Sequence, residues 1–311
     1  MNINKILLLI GIIINLYLIY NIKFIRDING TKKFIKDFDY VNYQNDFITN
    51  KMKKYSGWMY MSPSQYSLIN GIIRKHKPIN CLEVGVASGG SSILILNAIK
   101  DLKNSRLVSL DLNQHLYINN NYSTGYRVNK YFPELTDKWQ LFTGEQPHIF
   151  LQKLNIKYDF VFLDTAHISP GEIINLIEIL PFLKNNSIIV LHDIIWHFIK
   201  EIGNEKIQSV SSPQILLMSA LHGDKILIQN DKGIDNMGAI FLYPNQREYY
   251  LDYFLLLLTF WQYMPTEKQL NEIRIFIKKY YQNELYLKIF DIAVINNRNY
   301  VNKVSNCLNN N

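Results

Sequence analysis

The sequence predicts an α/β protein with a mostly parallel, seven-stranded sheet and helices on both faces. Three observations carry this prediction. An apolar strand at 79–84 leads directly into a glycine-rich turn and an apolar helix. Short apolar runs then alternate with helical stretches, which is the pattern of parallel βαβ units. Two of these runs end in aspartate, Asp164 and Asp193, which places both carboxylates at the same edge of the sheet.

The composition of the 311 residues disfavours some classes of protein. An apolar share of 48% is ample for a core, and no internal repeat is visible. The net charge of +7 comes from scattered lysines without a cationic stripe, which disfavours nucleic acid as a partner and suits an anionic membrane surface. Cys81 lies in the predicted core strand, so a disulfide framework with Cys307 is disfavoured and a reducing compartment is favoured.

The amino terminus predicts a membrane anchor. Ile6 to Tyr20 form an apolar run interrupted only by Gly11 and Asn15. As a helix extended through Ile22, it would span roughly 25 Å, slightly less than a hydrocarbon core. No small-residue cleavage site follows, although a signal peptide and a buried helix remain alternatives. Basic residues lie mostly after the run, so the positive-inside rule places the globular part in the cytoplasm. They are Lys23, Arg26, Lys32, Lys33 and Lys36, against Lys5 alone before it.

Four parts are expected along the chain. They are a membrane anchor (1–22), a linker with short helices (23–61), an α/β domain (62–245) and a helical carboxyl-terminal tail (246–311). The domain opens with a helix that runs to about His76. Ser62 is its predicted N-cap, Pro63 takes its first position, and Gln65 completes a capping box.

The turn after the first strand is the predicted binding site of an anionic ligand. Its pattern, Glu83-x-Gly85-x-x-x-Gly89-x-Ser91, differs from the G-x-G-x-x-G dinucleotide fingerprint. Glycines let a ligand approach the backbone, and the amides at the start of the following helix (Ile93–Leu102) form a cradle for an anion.

The second predicted strand, Arg106–Leu110, ends at Asp111, where a carboxylate is placed to accept hydrogen bonds from ribose hydroxyls. An ordinary strand-end aspartate is the alternative. Residues 113–132 are rich in Asn and Tyr and predict either a surface loop or part of a lid. After the third strand, Trp139–Thr143, Glu145 and Gln146 are expected near an adenine amino group, and a helix follows over 147–154.

Strands four and five carry the predicted metal site. Tyr158–Leu163 ends at Asp164, a helix is expected from Ser169 to about Lys184, and Asn185-Asn186 turns the chain into the fifth strand, which ends at Asp193. Two carboxylates at one sheet edge are the hard oxygen donors that Mg²⁺ prefers.

The remaining chain predicts a long insertion after Trp196, a short helix (213–221), a final strand pair and three amphipathic tail helices. The strand pair is expected at 225–229 and 238–243, and the helices at 247–263, 267–281 and 284–294. The tail helices are expected to pack on the domain or in a contact between two copies of the chain, as in a homo-oligomer.

Residues 79–193 resemble the metal-dependent branch of class I S-adenosylmethionine-dependent methyltransferases, which includes catechol and macrolide sugar O-methyltransferases. The resemblance implies a Rossmann-like fold and a cofactor held by one set of residues. These are Glu83, Gly85, Gly89, Ser91, Asp111, Glu145 and Asp164. It also implies metal ligation by Asp164 and Asp193 and, from a D-x-x-H arrangement, His167 as the catalytic base beside Asp164.

Two residues leave the ligand set open. His192 is either a third metal ligand or a residue behind the ligands, and Ile194 stands where the catechol group supplies a further oxygen ligand. His167 has the alternative of a helix-cap or surface histidine. The sequence therefore predicts methylation of a hydroxyl on a saccharide or other small or lipid-linked acceptor, with S-adenosylmethionine and a divalent ion, Mg²⁺. An inactive membrane-anchored scaffold is the alternative, and the glycine spacing disfavours an oxidoreductase.

Overall fold

The structure is a computed structural model that describes residues 61–195, 213–230 and 233–309. The predicted membrane anchor, all but the last residue of the predicted linker, and most of the predicted insertion after Trp196 lie outside the described residues. Across the parts that are described, every helix is too short or too polar to cross a lipid bilayer.

The described helices and strands alternate along the domain and give way to helices in the tail. In chain order they are α1 (Pro63–His76), β1 (Asn80–Val84), α2 (Gly90–Ile99), β2 (Arg106–Asp111), β3 (His115–Leu116), β4 (Asn119–Ser123), α3 (Tyr126–Tyr131), β5 (Trp139–Thr143), α4 (Pro147–Leu154), β6 (Tyr158–Leu163), α5 (Gly171–Ile179), β7 (Leu183–His192), α6 (Pro213–Ala220), β8 (Gly223–Asn230), β9 (Gly233–Leu242), α7 (Tyr250–Leu255), α8 (Glu267–Tyr281) and α9 (Glu284–Asn309).

The main sheet has seven strands in the order β5-β2-β1-β6-β7-β9-β8. The strands from β5 to β7 are parallel, and β9 pairs antiparallel with both β7 and β8. The predicted α/β fold with a seven-stranded, mostly parallel sheet is therefore confirmed. Strand order reverses at β1, and in open α/β sheets ligands bind at the carboxyl ends of strands flanking such a point.

The capping box that opens the domain is formed as predicted. Ser62 Oγ accepts from the Gln65 backbone amide at 3.3 Å, and Gln65 Oε1 accepts from the Ser62 amide at 2.8 Å. These two bonds satisfy helix-end amides that lack partners inside the helix. The helix ends at His76, as expected, before β1 enters the sheet and buries the free thiol of Cys81.

The predicted fifth helix and fifth strand have wrong boundaries. Helix α5 ends at Ile179, a single 3₁₀ turn covers 180–182, and Leu183 and Lys184 already belong to β7. Pro181 has no amide hydrogen to continue the helix, which accounts for the early end. The predicted turn at Asn185-Asn186 lies inside β7, where the pairing register with β6 shifts and Asn186 has a φ of 60°.

Three other segments also differ from expectation. Residues 113–132, predicted as either a surface loop or part of a lid, contain the β3–β4 hairpin and α3, and the role as a lid stays a prediction. Helix α2 begins at Gly90 instead of Ile93, and α9 runs on from the predicted end at Val294 to Asn309.

The first predicted tail helix, 247–263, is wrong as one continuous helix. It consists of a 3₁₀ turn at 246–249, the short helix α7 and a second 3₁₀ turn at 256–258. After this turn the chain is extended, because the Trp261 amide donates to Asn297 Oδ1 of α9 at 2.8 Å instead of continuing a helix.

The tail packs on the sheet through large apolar side chains. Phe254, Trp261, Phe276 and Phe290 are at most 1% exposed and belong to the same core cluster as residues of β1, β6 and β7. Burial of a large side chain contributes about 1.5–3 kcal/mol. This packing confirms one of the two predicted roles of the tail helices.

The turn after β1, from Gly85 to Gly89 and called the glycine turn below, depends on close contact between β1 and the chain that follows β6. Gly85 has a φ of +91°, which side chains rarely adopt, and a Cβ built there would lie 1.7 Å from the Asp164 carbonyl oxygen. The structural reason for this glycine is therefore contact with the backbone of Asp164. The approach of a ligand, which the sequence suggested, is a separate reason.

Changing Gly85 to Ala is expected to lower the free energy of unfolding by at least about 3 kcal/mol, since the clash adds to the strain of the left-handed backbone. Urea unfolding measures this loss. Gly171→Ala is the matched control: its Cβ would meet the Ala166 methyl group at 3.2 Å without a left-handed φ. Equal, small losses in both variants would contradict the assigned contact.

Candidate active site

The carboxyl ends of four parallel strands gather the predicted site residues. Strand β1 leads into the glycine turn, β2 ends at Asp111, and β6 and β7 lead into Asp164 and Asp193. Because the strands are adjacent and parallel, these residues lie along one edge of the sheet.

Glu83 holds the base of the glycine turn. Its carboxylate is fully buried and accepts hydrogen bonds from the hydroxyls of Ser91 (2.5 Å), Ser92 (2.6 Å) and Ser109 (2.6 Å). Burial raises the pKa of Glu83 to about 7, against the opposing effect of the three hydroxyls. The carboxylate thereby fastens the first turn of α2 to β1 and β2, and its predicted contact with a cofactor stays a prediction.

Asp111 faces the glycine turn from the end of β2. Its Oδ2 accepts from the backbone amides of Val86 (2.9 Å) and Ala87 (3.0 Å), and its Oδ1 accepts from the Asn113 amide at 2.8 Å. A carboxylate has about four lone-pair sites, so one acceptor position is left for a further hydroxyl donor. Asp111 is therefore placed against the turn, as expected, and braces it.

The start of α2 offers backbone amides to an anion. Gly89 is the N-cap residue, with a φ of 94°, and makes no side-chain capping bond to the helix that follows. No acidic side chain stands in the first turn. Since the first amides of a helix have no partners within it, and the helix dipole favours negative charge there, this end suits a carboxylate or phosphate.

Gln146 is a buried amide at the neighbouring strand end, after β5. Its side chain is 9% exposed, and its Oε1 has no hydrogen-bond partner among the described residues. A buried carbonyl without a donor is unfavourable, so this oxygen is suited to accept from a ligand. Glu145 beside it is exposed.

A cluster of two carboxylates and an imidazole, called the acidic cluster below, lies beyond β6 and β7. Asp164, His167 and Asp193 each offer a ligand atom within 4.8 Å of the others. His167 Nε2 is 3.1 Å from Asp193 Oδ2 and 3.5 Å from Asp164 Oδ1. Burial raises the pKa of Asp164, but His192 and His167 offset this and hold it below its usual value. Both oxygens and the nitrogen are atoms that bind divalent cations.

His192 lies on the buried side of the same carboxylates. Its Nδ1 is 3.3 Å from Asp164 Oδ2 and 3.4 Å from Asp193 Oδ2, and the residue is 5% exposed. Burial lowers the pKa of His192, yet the charges of Asp164 and then Asp193 raise it to about 10. In this arrangement the charge of His192 balances that of the two carboxylates, and its role as a third ligand stays a prediction.

Two buried side chains hold His167 in place. The Gln214 Nε2 atom, on α6, is 2.8 Å from His167 Nδ1 and 2.8 Å from Glu172 Oε1. Glu172 Oε1 also accepts from the His167 backbone amide, at a residue whose φ of 56° is left-handed. Since Nδ1 faces Gln214, it is Nε2 that faces Asp164 and Asp193.

Ile194 stands where the resembled catechol group has a further oxygen ligand, and the side-chain amide of Asn236 is hydrogen-bonded to the residues on both sides of it. The Ile194 side chain has no oxygen to offer the cluster, and it is 2% exposed within the apolar core. Asn236, on β9, donates through Nδ2 to Asp193 Oδ1 and accepts at 2.8 Å from the Ile195 amide.

The comparison with protein families decides the identity of this region. Residues 82–194 match the family described as a methyltransferase domain. The chain carries a methyltransferase domain. The predicted enzyme class, a methyltransferase, is thereby confirmed, and the matched segment contains the glycine turn and every residue of the acidic cluster.

Several solved structures are similar to the protein. A putative caffeoyl-CoA O-methyltransferase from Staphylococcus aureus is 17% identical (69% of this chain, 100% of that chain, TM-score 0.47). An O-methyltransferase from Bacillus cereus in complex with SAH is 16% identical (63% and 89%, 0.45). TomG from Streptomyces achromogenes, an O-methyltransferase involved in tomaymycin synthesis and bound to SAM, is 15% identical (62% and 86%, 0.45). No curated protein matches the sequence.

The folded chain brings together most residues that the sequence predicted and adds three that it did not. Glu172, Gln214 and Asn236 were missed as site residues. Glu172 lies in the first turn of α5, where acidic residues are common without any role in a site, so its sequence position gave no signal. Gln214 and Asn236 contact residues 47 and 43 positions away, and no spacing rule connects such distant positions.

Glu83 is expected to make the stability of the methyltransferase domain depend on pH. Because its folded pKa is raised from 4.5 to about 7, its contribution to stability is complete below pH 4.5 and is lost as the pH rises through about 7. The loss is up to about 3 kcal/mol. Urea unfolding between pH 4.5 and 8 measures it, and Glu83→Gln is expected to flatten this part of the profile.

Glu248→Gln is the control, because Glu248 is exposed. A Glu83→Gln profile with the same slope as that of the unchanged protein would show that Glu83 stays ionised in the folded state.

Proposed function

We propose that the protein is an S-adenosylmethionine-dependent O-methyltransferase in which a divalent metal activates the hydroxyl of the acceptor. One observation carries the proposal: the glycine turn and the acidic cluster are in direct contact. Gly85 lies against the backbone carbonyl of Asp164, and the side chain of Asp164 belongs to the cluster. A methyl donor on the turn and an acceptor on the cluster would therefore be neighbours, as group transfer requires.

The turn has the groups that S-adenosylmethionine needs. The uncapped amides at the start of α2 suit its carboxylate, and the remaining acceptor position of Asp111 suits a ribose hydroxyl. The unpartnered Gln146 Oε1 suits the adenine amino group, with Glu145 beside it. When bound, the cofactor supplies a methyl group on a positively charged sulfur.

The cluster has the donors for a divalent ion. Asp164 and Asp193 supply oxygens, the ligands that Mg²⁺ prefers, and His192 would supply a nitrogen if the ion displaces its proton. An ion bound there would lower the pKa of the acceptor hydroxyl and orient it. The buried charge of His192 offsets part of the repulsion between the two carboxylates.

His167 is the proposed catalytic base. Its Nε2 faces the cluster, and Gln214 and Glu172 fix the ring from the opposite side. A base must lie within hydrogen-bond reach of the proton that it removes, and histidine is the side chain that most often has this role. Because Gln214 Nε2 can only donate, proton removal at His167 Nε2 requires the tautomer that carries its hydrogen on Nδ1, with the Gln214 amide turned so that its oxygen accepts from Nδ1. Removal of the acceptor proton would then leave the alkoxide free to attack the methyl group.

Asp164→Asn is expected to abolish metal-stimulated methyl transfer, by about 100-fold or more, while cofactor affinity changes little. The reason is that Asp164 contacts the turn through its backbone and the cluster through its side chain. Transfer of isotope-labelled methyl groups into cell extracts, with and without a chelator, measures activity and also identifies the acceptor. Calorimetry with S-adenosylmethionine measures binding.

Asp137→Asn is the matched control, since Asp137 is exposed before the start of β5, at the opposite edge of the sheet. Full activity of Asp164→Asn in the presence of the chelator would contradict the metal proposal. If the unchanged protein does not bind S-adenosylmethionine, the methyltransferase proposal as a whole is contradicted.

The proposal extends to a membrane-bound protein that acts on a saccharide or lipid-linked acceptor and faces the cytoplasm. Its support is the apolar run from Ile6 to Tyr20 and the basic residues after it. An enzyme tethered to a bilayer meets substrates at that surface. A contact between copies of the chain through the tail helices is also part of the proposal.

Deletion of residues 1–22 is expected to move the protein from the membrane fraction to the soluble fraction and to leave cofactor affinity unchanged, because the described site lies wholly after residue 61. Fractionation and calorimetry check the two parts. Membrane association that survives the deletion would contradict the assigned anchor.

A further inference from the structure

The two oxygens of the Asp193 carboxylate face different partners. Oδ2 points into the acidic cluster, 3.1 Å from His167 Nε2 and 3.4 Å from His192 Nδ1. Oδ1 accepts a hydrogen bond from the Asn236 side-chain amide. Asn236, which lies outside the cluster, therefore binds Oδ1 of Asp193, while Oδ2 faces the cluster.

Asn236 reaches Asp193 because of how β9 enters the sheet. Strand β9 is antiparallel to β7, so the start of β9 lies at the carboxyl end of β7, and His192 pairs with Met237. One step further along each strand, Asp193 and Asn236 stand opposite each other. Side chains at such positions are close neighbours.

The orientation of the Asn236 amide follows from its partners. An ionised Asp193 carboxylate can only accept hydrogen bonds, so it must face the Nδ2 atom of Asn236. The Ile195 backbone amide can only donate, and it donates to Oδ1 of Asn236 at 2.8 Å. Asn236 thus binds both sides of residue 194. Asp193 itself has a left-handed φ of 56°. The two hydrogen bonds of Asn236, to Asp193 and to Ile195, stabilise the backbone in this conformation.

The same place in the chain is where the oxygen donor of the resembled family is missing. Ile194 is 2% exposed in the core and does not reach the cluster. Asn236 lies outside the segment 82–194 that matches the methyltransferase family. The polar group beside Asp193 therefore comes from a part of the chain that the match does not cover.

We propose that Asn236 is a positioning residue for Asp193, which holds Oδ1 so that Oδ2 is presented to a divalent cation. The inference rests on the proposed function, because it assigns a metal to the cluster. Groups that orient metal ligands typically change metal affinity by about 10–100-fold when they are removed.

The experiment compares Mn²⁺ binding by the unchanged protein and by Asn236→Leu, in the absence of cofactor and acceptor. Electron paramagnetic resonance of free Mn²⁺ gives the dissociation constant. Asn236→Leu keeps the size of the side chain and removes its hydrogen bonds, so we expect the constant to rise about tenfold or more. Asn236→Ala is the second variant, should the leucine side chain prevent folding.

Ile240→Ala is the matched control for stability. Ile240 is fully buried on the same strand and pairs with Ile189, away from the cluster. We expect this variant to lower the melting temperature and to leave the Mn²⁺ dissociation constant unchanged. A dissociation constant in Asn236→Leu equal to that of the unchanged protein would overturn the inference.

Crystal structures of the unchanged protein and of Asn236→Leu without metal separate this inference from the proposed function. We expect the Asp193 carboxylate to rotate in the variant, and an unmoved carboxylate would overturn the inference. If the unchanged protein binds no Mn²⁺, the proposed metal role fails, while the rotation of Asp193 still decides whether Asn236 positions it.

Discussion

The contact between Gly85 and the carbonyl of Asp164 is the constraint on which the candidate site depends. It exists because β1 and β6 are adjacent parallel strands, and any side chain at position 85 would collide with the backbone of the next strand. The turn that can hold an anionic ligand is thereby fixed against the residue that begins the acidic cluster. The glycine turn and the acidic cluster, which follow different strands, thus lie side by side at one edge of the sheet.

Buried ionisable groups are concentrated around this edge, and each has a partner. Glu83 is surrounded by three serine hydroxyls, and the carboxylates of Asp164 and Asp193 lie close to His192 and His167. Unpaired burial of such groups would cost several kcal/mol each, so their pairing keeps the fold stable while it retains charge at the site. The hydrogen bonds and ion pairs among these side chains hold the site in place, which lowers the cost of ordering it when a ligand binds.

Local chemistry made much of this fold predictable from the sequence. The capping box at Ser62, the glycine turn after β1 and the strand ends at Asp111, Asp164 and Asp193 each follow from residue types at short spacing. The errors arose where local rules compete or where contacts are distant. Polar Asn-rich strands at 115–123 show no apolar alternation, and Asn297 of α9 draws the chain after α7 out of a helix. Gln214 and Asn236 reach the site only through the folded sheet.

The distance between a bound metal and the methyl group of the bound cofactor tests the central claim most directly. Paramagnetic relaxation by Mn²⁺ of ¹³C-methyl-labelled S-adenosylmethionine on the protein measures it. The account predicts strong, distance-dependent relaxation of the methyl carbon that disappears in Asp164→Asn, since the turn and the cluster are in contact. A bound methyl group whose relaxation is unaffected by Mn²⁺ would show that the two places do not form one active site.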